Sequence, residues 1–127
     1  MTQEEKQLLL KDLAARVPYG VMVSVQGGEF DSYKYPYLLT AVSKFGLDSF
    51  CKVYHPIYTP FNGIPNVENI KPYLRSIHKL TKEELEELEF LTDSDYVDYC
   101  NEHHIDYRNL IEKGLALEAP KDMYKLE

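Results

Sequence analysis

A chain of 127 residues is the size of one domain, and at that size folding hides roughly two-thirds of the unfolded surface, enough for a core without metal or disulfide staples. Hydrophobic residues at 44% beside 28% charged exclude wholesale disorder, and two cysteines, Cys51 and Cys100, are too few for a disulfide framework. The net charge of −7 is unevenly spread, with 14 acids against 5 bases in residues 81–127 and 7 against 9 in residues 1–80, which disfavours binding of a nucleic-acid backbone through the acidic part.

The opening TQEEKQLLLKDLAARV pairs Thr2 with Glu5, a reciprocal capping box that predicts a helix from Gln3 to Arg16. Leu9, Leu10, Leu13 and Val17 fall at helical spacing on one apolar stripe, and Pro18 ends the helix because it distorts the residue before it and has no donor. The acids of this segment stand where a secretory signal carries bases. No apolar run approaches the ~20 residues of a membrane span. The expected setting is therefore the cytoplasm, with reduced thiols.

GVMVSVQGG sets Val21, Val23 and Val25 against Met22 and Ser24, a half-buried strand that ends at Gly27 and Gly28. QGGEF lacks the spacing of a phosphate-binding loop and reads as a hairpin turn. YPYLLTAVSKFG gives a second strand with a turn at Gly46, and SFCKVYHPIY a third that Pro56 ends or bends. After a loop marked by Pro60, Gly63 and Pro65, Ile70–Leu74 form a short closing strand. The expectation is an antiparallel meander, strongly bent or closed into a small, partly open barrel.

Near residue 80 the texture changes. LTKEELEELEFL has Thr81 and Glu84 as a second capping box and Leu80 with Leu85 as a hydrophobic staple. Leu85, Leu88 and Leu91 form the expected inner stripe, with Glu83, Glu86 and Glu87 facing water. A cap at Thr92 or Asp93 starts a helix through SDYVDYCNEH, and a last short helix runs from Asp106 to a left-handed Gly114. Leu115 and Leu117 bring the tail back. No repeat or linker divides the chain. The fold class is thus α+β in a single domain, 1–127, with the N-terminal helix and meander in 1–80 and an acidic helical part of two or three helices in 81–127.

PYGVMVSV, IKPYLRSIHKLTKEELEEL and NEHHIDYRNLIEKGLALEA, with the helix before them, resemble a family of small uncharacterised proteins of Bacteroidetes genomes, many of them encoded by phage or integrated mobile elements. The resemblance covers both ends and the middle, and is weakest over residues 26–66. It implies a genomic setting. It carries over no catalytic residue.

Chemistry concentrates in CNEHHIDYRNLIEKG. Cys100, His103 and His104 can face one side of a helix, but a structural zinc site needs four protein ligands and a catalytic one usually three, so His55, His78, Cys51 or a carboxylate would have to join them. No CxxC, HxxxH or HExxH spacing supports that. Cys100 on such a face also reads as a small hydrophobe. Because the two histidines diverge by ~100°, at most one lies squarely in the core. Asp106 reads as a helix cap, and Arg108 as the partner of an acid or a tyrosine. Neither cysteine has the cationic neighbour that activates a thiol. The sequence therefore assigns no catalytic residue and no cofactor.

Eleven tyrosines and no tryptophan suit either the margin of a core or a binding face. Tyr33, Tyr35 and Tyr37 in YKYPYL are the candidate contacts for a protein partner. The functional expectation is a non-catalytic accessory or interaction protein of a phage or mobile element. One alternative is an acidic mimic of nucleic acid, and another a small metal-dependent hydrolase using His103 and His104.

Overall fold

The computed structural model describes residues 2–26, 36–45, 48–54, 62–63, 67–120 and 123–124, with backbone only at 43–45, 48–50 and 62–63. The expected turns at Gly27–Gly28 and Gly46, the strand end at Pro56, and His55, Tyr33 and Tyr35 lie outside the described residues. The chain divides into two units, residues 1–72 and 73–127. The boundary falls inside a strand.

In the first unit, helix α1 (Gln3–Arg16) begins as the capping box dictates. Glu5 N–H donates to Thr2 Oγ1 at 3.1 Å and Thr2 N–H to Glu5 Oε1 at 3.0 Å, which satisfies two otherwise free backbone donors. Its inner face buries Leu9, Leu10 and Leu13 and also Asp12 and Arg16, both wholly inaccessible. Arg16 grips Asp12 with Nε at 2.9 Å and Nη2 at 3.2 Å, a bidentate pairing that offsets much of the cost of burying two charges. Pro18 turns the chain into a 3₁₀ turn at Val17–Tyr19, and Gly20 at φ 71° takes a left-handed conformation that a Cβ would strain.

Five strands follow: β1 (Met22–Val25), β2 (Tyr37–Phe45), β3 (Asp48–Tyr54), β4 (Asn62–Gly63) and β5 (Ile70–Ser76). Their order is β4-β3-β2-β1-β5 with antiparallel pairing throughout. The alternation expected of Val21, Val23 and Val25 is present, and the same core takes in Tyr37, Leu39, Cys51, Val53 and Ile70. An irregularity in register between Leu39 and Ala41 bends β2 locally.

In the second unit, the C-terminal half of β5 pairs with two further short strands, β6 (Ile105–Asp106) and β7 (Leu117–Glu118), both parallel to it. Between β5 and β6 come helices α2 (Lys82–Glu89) and α3 (Asp93–Glu102). They give the chain the dozen or more residues that a parallel crossover requires. The fold is therefore α+β, with an N-terminal helix, a mixed and open sheet, and two short C-terminal helices. This corrects the antiparallel, barrel-like expectation. The meander is real, but the sheet is open, its last additions β6 and β7 are parallel, and β7 branches off the main path at β5.

Two helical expectations also change. The residues after Asp106 form a single turn rather than a third helix, because Asn109 takes a left-handed φ of 59°. The turn is closed by Gly114 N–H to Ile111 O at 3.1 Å and Leu115 N–H to Leu110 O at 2.9 Å, with Gly114 left-handed as foreseen. In α2 the inner face is Glu84 with Leu88, whereas Leu85 stays 46% exposed. Leu80 does pack inward, against the cluster of Leu88, Cys100 and Ile105.

Candidate functional site

The five chemical side chains of residues 100–108 do not converge. Cys100 has no accessible surface and packs with Leu88 and Ile105, so it fills the core as a small apolar residue. His103 ends α3 and lies against Tyr99, with ring centroids 4.2 Å apart. His104 is buried and stacks on Tyr124 at 4.0 Å, with the ring planes 23° apart. The pair splits, one ring into the interior and one against α3, but not through a helical offset: α3 ends at Glu102, and His104 lies outside it with a left-handed φ of 58°. Among the described residues, no three histidine, cysteine, aspartate or glutamate side chains are grouped to hold a metal ion.

A backbone exchange explains why the histidines part. The Arg75 N–H donates to His104 O at 2.7 Å, and Arg75 Nη1 reaches His103 O at 3.4 Å. Binding both carbonyls to β5 holds His104 left-handed at φ 58°, a conformation that costs a non-glycine residue about 1 kcal/mol. Asp106 is committed as well. Its two carboxylate oxygens accept from Leu110 N–H at 2.9 Å and Ile111 N–H at 3.0 Å, so it caps the turn after β6, further along the chain than a helix cap reaches. Arg108 donates to Tyr107 Oη at 2.7 Å and lies over that ring at 4.8 Å.

Neither cysteine is a nucleophile by environment. Burial pushes the Cys51 thiol up to about 11, and both thiols are inaccessible. Burial, together with the hydrogen bond to Glu87, lifts the Tyr99 phenol to about 12. Tyr96 is raised by burial and by its contact with Cys100. Of the candidate contacts Tyr33, Tyr35 and Tyr37, only the last is described. Tyr37 is 1% exposed in β2, so its ring serves the core and not an open face.

Two other features take the place of that cluster; the sequence marked the outward glutamates of the first but neither Phe90 among them nor the second feature. The first is the outer surface of α2. Phe90, the residue that ends the helix, is 87% exposed. Glu83, Glu86 and Glu87 precede it by seven, four and three positions and so share its side of the helix. All three are exposed. Asp93, Asp95, Asp98 and Glu102 of α3 are exposed too.

The second feature is a cleft of about 410 Å³ lined by Arg75, Ser76, Lys79, Glu118, Pro120 and Tyr124. β5 delivers Arg75 and Ser76, the 3₁₀ turn Ile77–Lys79 delivers Lys79, and the pairing of β7 with Leu74 brings Glu118 opposite. Arg75 Nη2 donates to Glu84 Oε1 at 2.6 Å, and Lys79 pairs with Glu118 at 2.5 Å. Tyr124 Oη donates to Tyr73 O at 2.9 Å. The tyrosine therefore stands as a fixed wall, held by β5 at one end and by the His104 ring across its face.

No protein-family profile, curated protein or solved structure matches the chain.

Proposed function

We propose that the protein is a non-catalytic interaction module that binds a basic segment of a partner protein on the acidic surface of α2 and α3, with Phe90 as the apolar anchor. The observation that supports this reading is Phe90 itself. A fully burying environment for a phenylalanine side chain is worth about 1.5–3 kcal/mol, and this one stands 87% in water beside three glutamates on its own side of the helix. Aromatic side chains are enriched at protein interfaces, which carry polar rims around their centres. The carboxylates favour a cationic partner and speed its approach. Of the candidate tyrosines, Tyr37 lies in the core, and the anchor proposed here is Phe90. In the mobile-element setting that the resemblance implies, the partner would be a host protein.

The test places a photoreactive phenylalanine analogue at position 90, with the same group at the exposed Glu112 as control, and maps crosslinked peptides by mass spectrometry. The expected crosslinks at position 90 carry net positive segments and fall in the Glu83→Lys, Glu86→Lys double variant. Crosslinks no stronger than at position 112, or into acidic segments, would refute the reading. If the captured protein binds DNA and duplex DNA displaces it, the acidic surface acts as a nucleic-acid mimic.

A further inference from the structure

We infer that the cleft at the C-terminal end of β5 is a binding site for a small phosphate monoester. It is separate from the α2 surface proposed above. A volume of about 410 Å³ lies in the range of small-ligand sites, roughly 300–1,000 Å³, and leaves room for an organic group beside the anion.

The lining supplies donors of three kinds. The Arg75 guanidinium carries five N–H groups in a planar fork, of which one donates strongly to Glu84 at 2.6 Å and one reaches His103 O at the long distance of 3.4 Å. Ser76 Oγ accepts from His78 N–H at 3.3 Å, which leaves its own O–H to donate. Lys79 is 71% exposed and bound to Glu118, itself 45% exposed. Such an exposed ion pair is weak, so an anion can draw the ammonium away at little cost. Guanidinium, hydroxyl and ammonium together are the donor set that phosphate oxygens take.

The local charge agrees. Within a chain of net charge −7, the stretch YLRSIHK at residues 73–79 carries Arg75 and Lys79 and no acid. Glu118 is the one carboxylate among the cleft residues named. It holds Lys79 in place when the cleft is empty and opposes the anion when it is filled. That double role fixes the sign of a substitution: removing the Glu118 charge tightens binding, although it deletes an ion pair.

The experiment titrates the ¹⁵N-labelled full chain with inorganic phosphate, with adenosine monophosphate, and with adenosine as the uncharged control, reading the amide signals of Ser76, Lys79 and Ala119. Saturable shifts at these residues are expected with the two phosphates and none with adenosine. The Lys79→Ala variant is expected to weaken binding about tenfold, and Glu118→Gln to tighten it severalfold, in line with gain or loss of roughly one charged contact. Both residues are solvent-exposed, and a thermal melt of each variant confirms that the fold is intact. Shifts that do not saturate, equal binding of adenosine, or dissociation constants unchanged in both variants would overturn the assignment. Phosphate binding with no preference for the nucleotide supports it for the anion and removes the organic group.

Discussion

Glu84 shows how one side chain carries two levels of structure. Its Oε1 accepts from Thr81 N–H at 3.2 Å, from Thr81 Oγ1 at 3.2 Å and from Arg75 Nη2 at 2.6 Å, so the cap of α2 and the anchoring of α2 to β5 converge on one atom. Burial acts to raise the Glu84 carboxyl, but the hydrogen bonds from Arg75 and Thr81 and the guanidinium charge outweigh it and hold the group below its ordinary range. A depressed carboxyl stabilises the folded state above the unfolded value of about 4.3, and that contribution is lost as pH falls through the lower, folded value. Glu84→Gln keeps an oxygen for the cap and removes the charge. It is expected to cost about 2 kcal/mol at neutral pH and to flatten the loss of stability in acid, read from urea unfolding midpoints between neutral pH and the acid limb. A variant curve that runs parallel to the parent's through the acid limb would show that the charge contributes nothing. Glu84 was legible as a cap because Thr81 stands three residues before it. Its burial was not, because Arg75 arrives from another element.

At the scale of elements, what the sequence discloses is what short-range chemistry controls. Caps within four residues set the starts of α1, α2 and α3, and the valine alternation sets β1, so these elements fall where expected. The face an element buries depends on partners far along the chain. In α2, Glu84 turns inward to meet Arg75 and rotates Leu85 out of the predicted stripe. The same limit hid the third-helix error. Ile105 and Asp106 pair with Arg75 and Ser76, which commits them to a strand and leaves only one turn of chain before the left-handed Gly114. The cleft was not read from the sequence, because Glu118 joins it through the parallel pairing of β7 and Tyr124 through its bond to Tyr73 O and its stacking on His104. The rotated face of α2 has a measurable consequence. Leu88→Ala opens a cavity beside Cys100 and Ile105 and is expected to destabilise by about 2–4 kcal/mol. Leu85→Glu changes an exposed position and is expected to stay within about 0.5 kcal/mol of the parent. Equal losses in thermal or urea unfolding would restore the sequence-based stripe.

For the molecule as a whole, charge and thiols are each divided between the two units. The acids gather in the second, and each unit buries one cysteine, Cys51 in the first and Cys100 in the second. Both side chains are inaccessible in the folded chain, and burial holds Cys51 protonated far above neutral pH, up to about 11. A thiol reagent can therefore reach either one only after its own surroundings open, and the labelling rate counts how often that happens. Native protein at neutral pH is expected to resist an aromatic disulfide reagent that modifies a free thiol at once, and to release two equivalents in denaturant. Because every 1.4 kcal/mol, about, is a factor of ten in an opening equilibrium, single substitutions make the two reporters separable. Val53→Ala removes a buried side chain from the strand that carries Cys51 and should speed labelling of that cysteine. Leu88→Ala loosens the cluster around Cys100 and should speed labelling there, with mass spectrometry of the modified peptides assigning each site. Fast labelling of Cys100 in the unaltered native protein would contradict the closed core cluster, and with it the conclusion that this cysteine is a packing residue and not a reactive one.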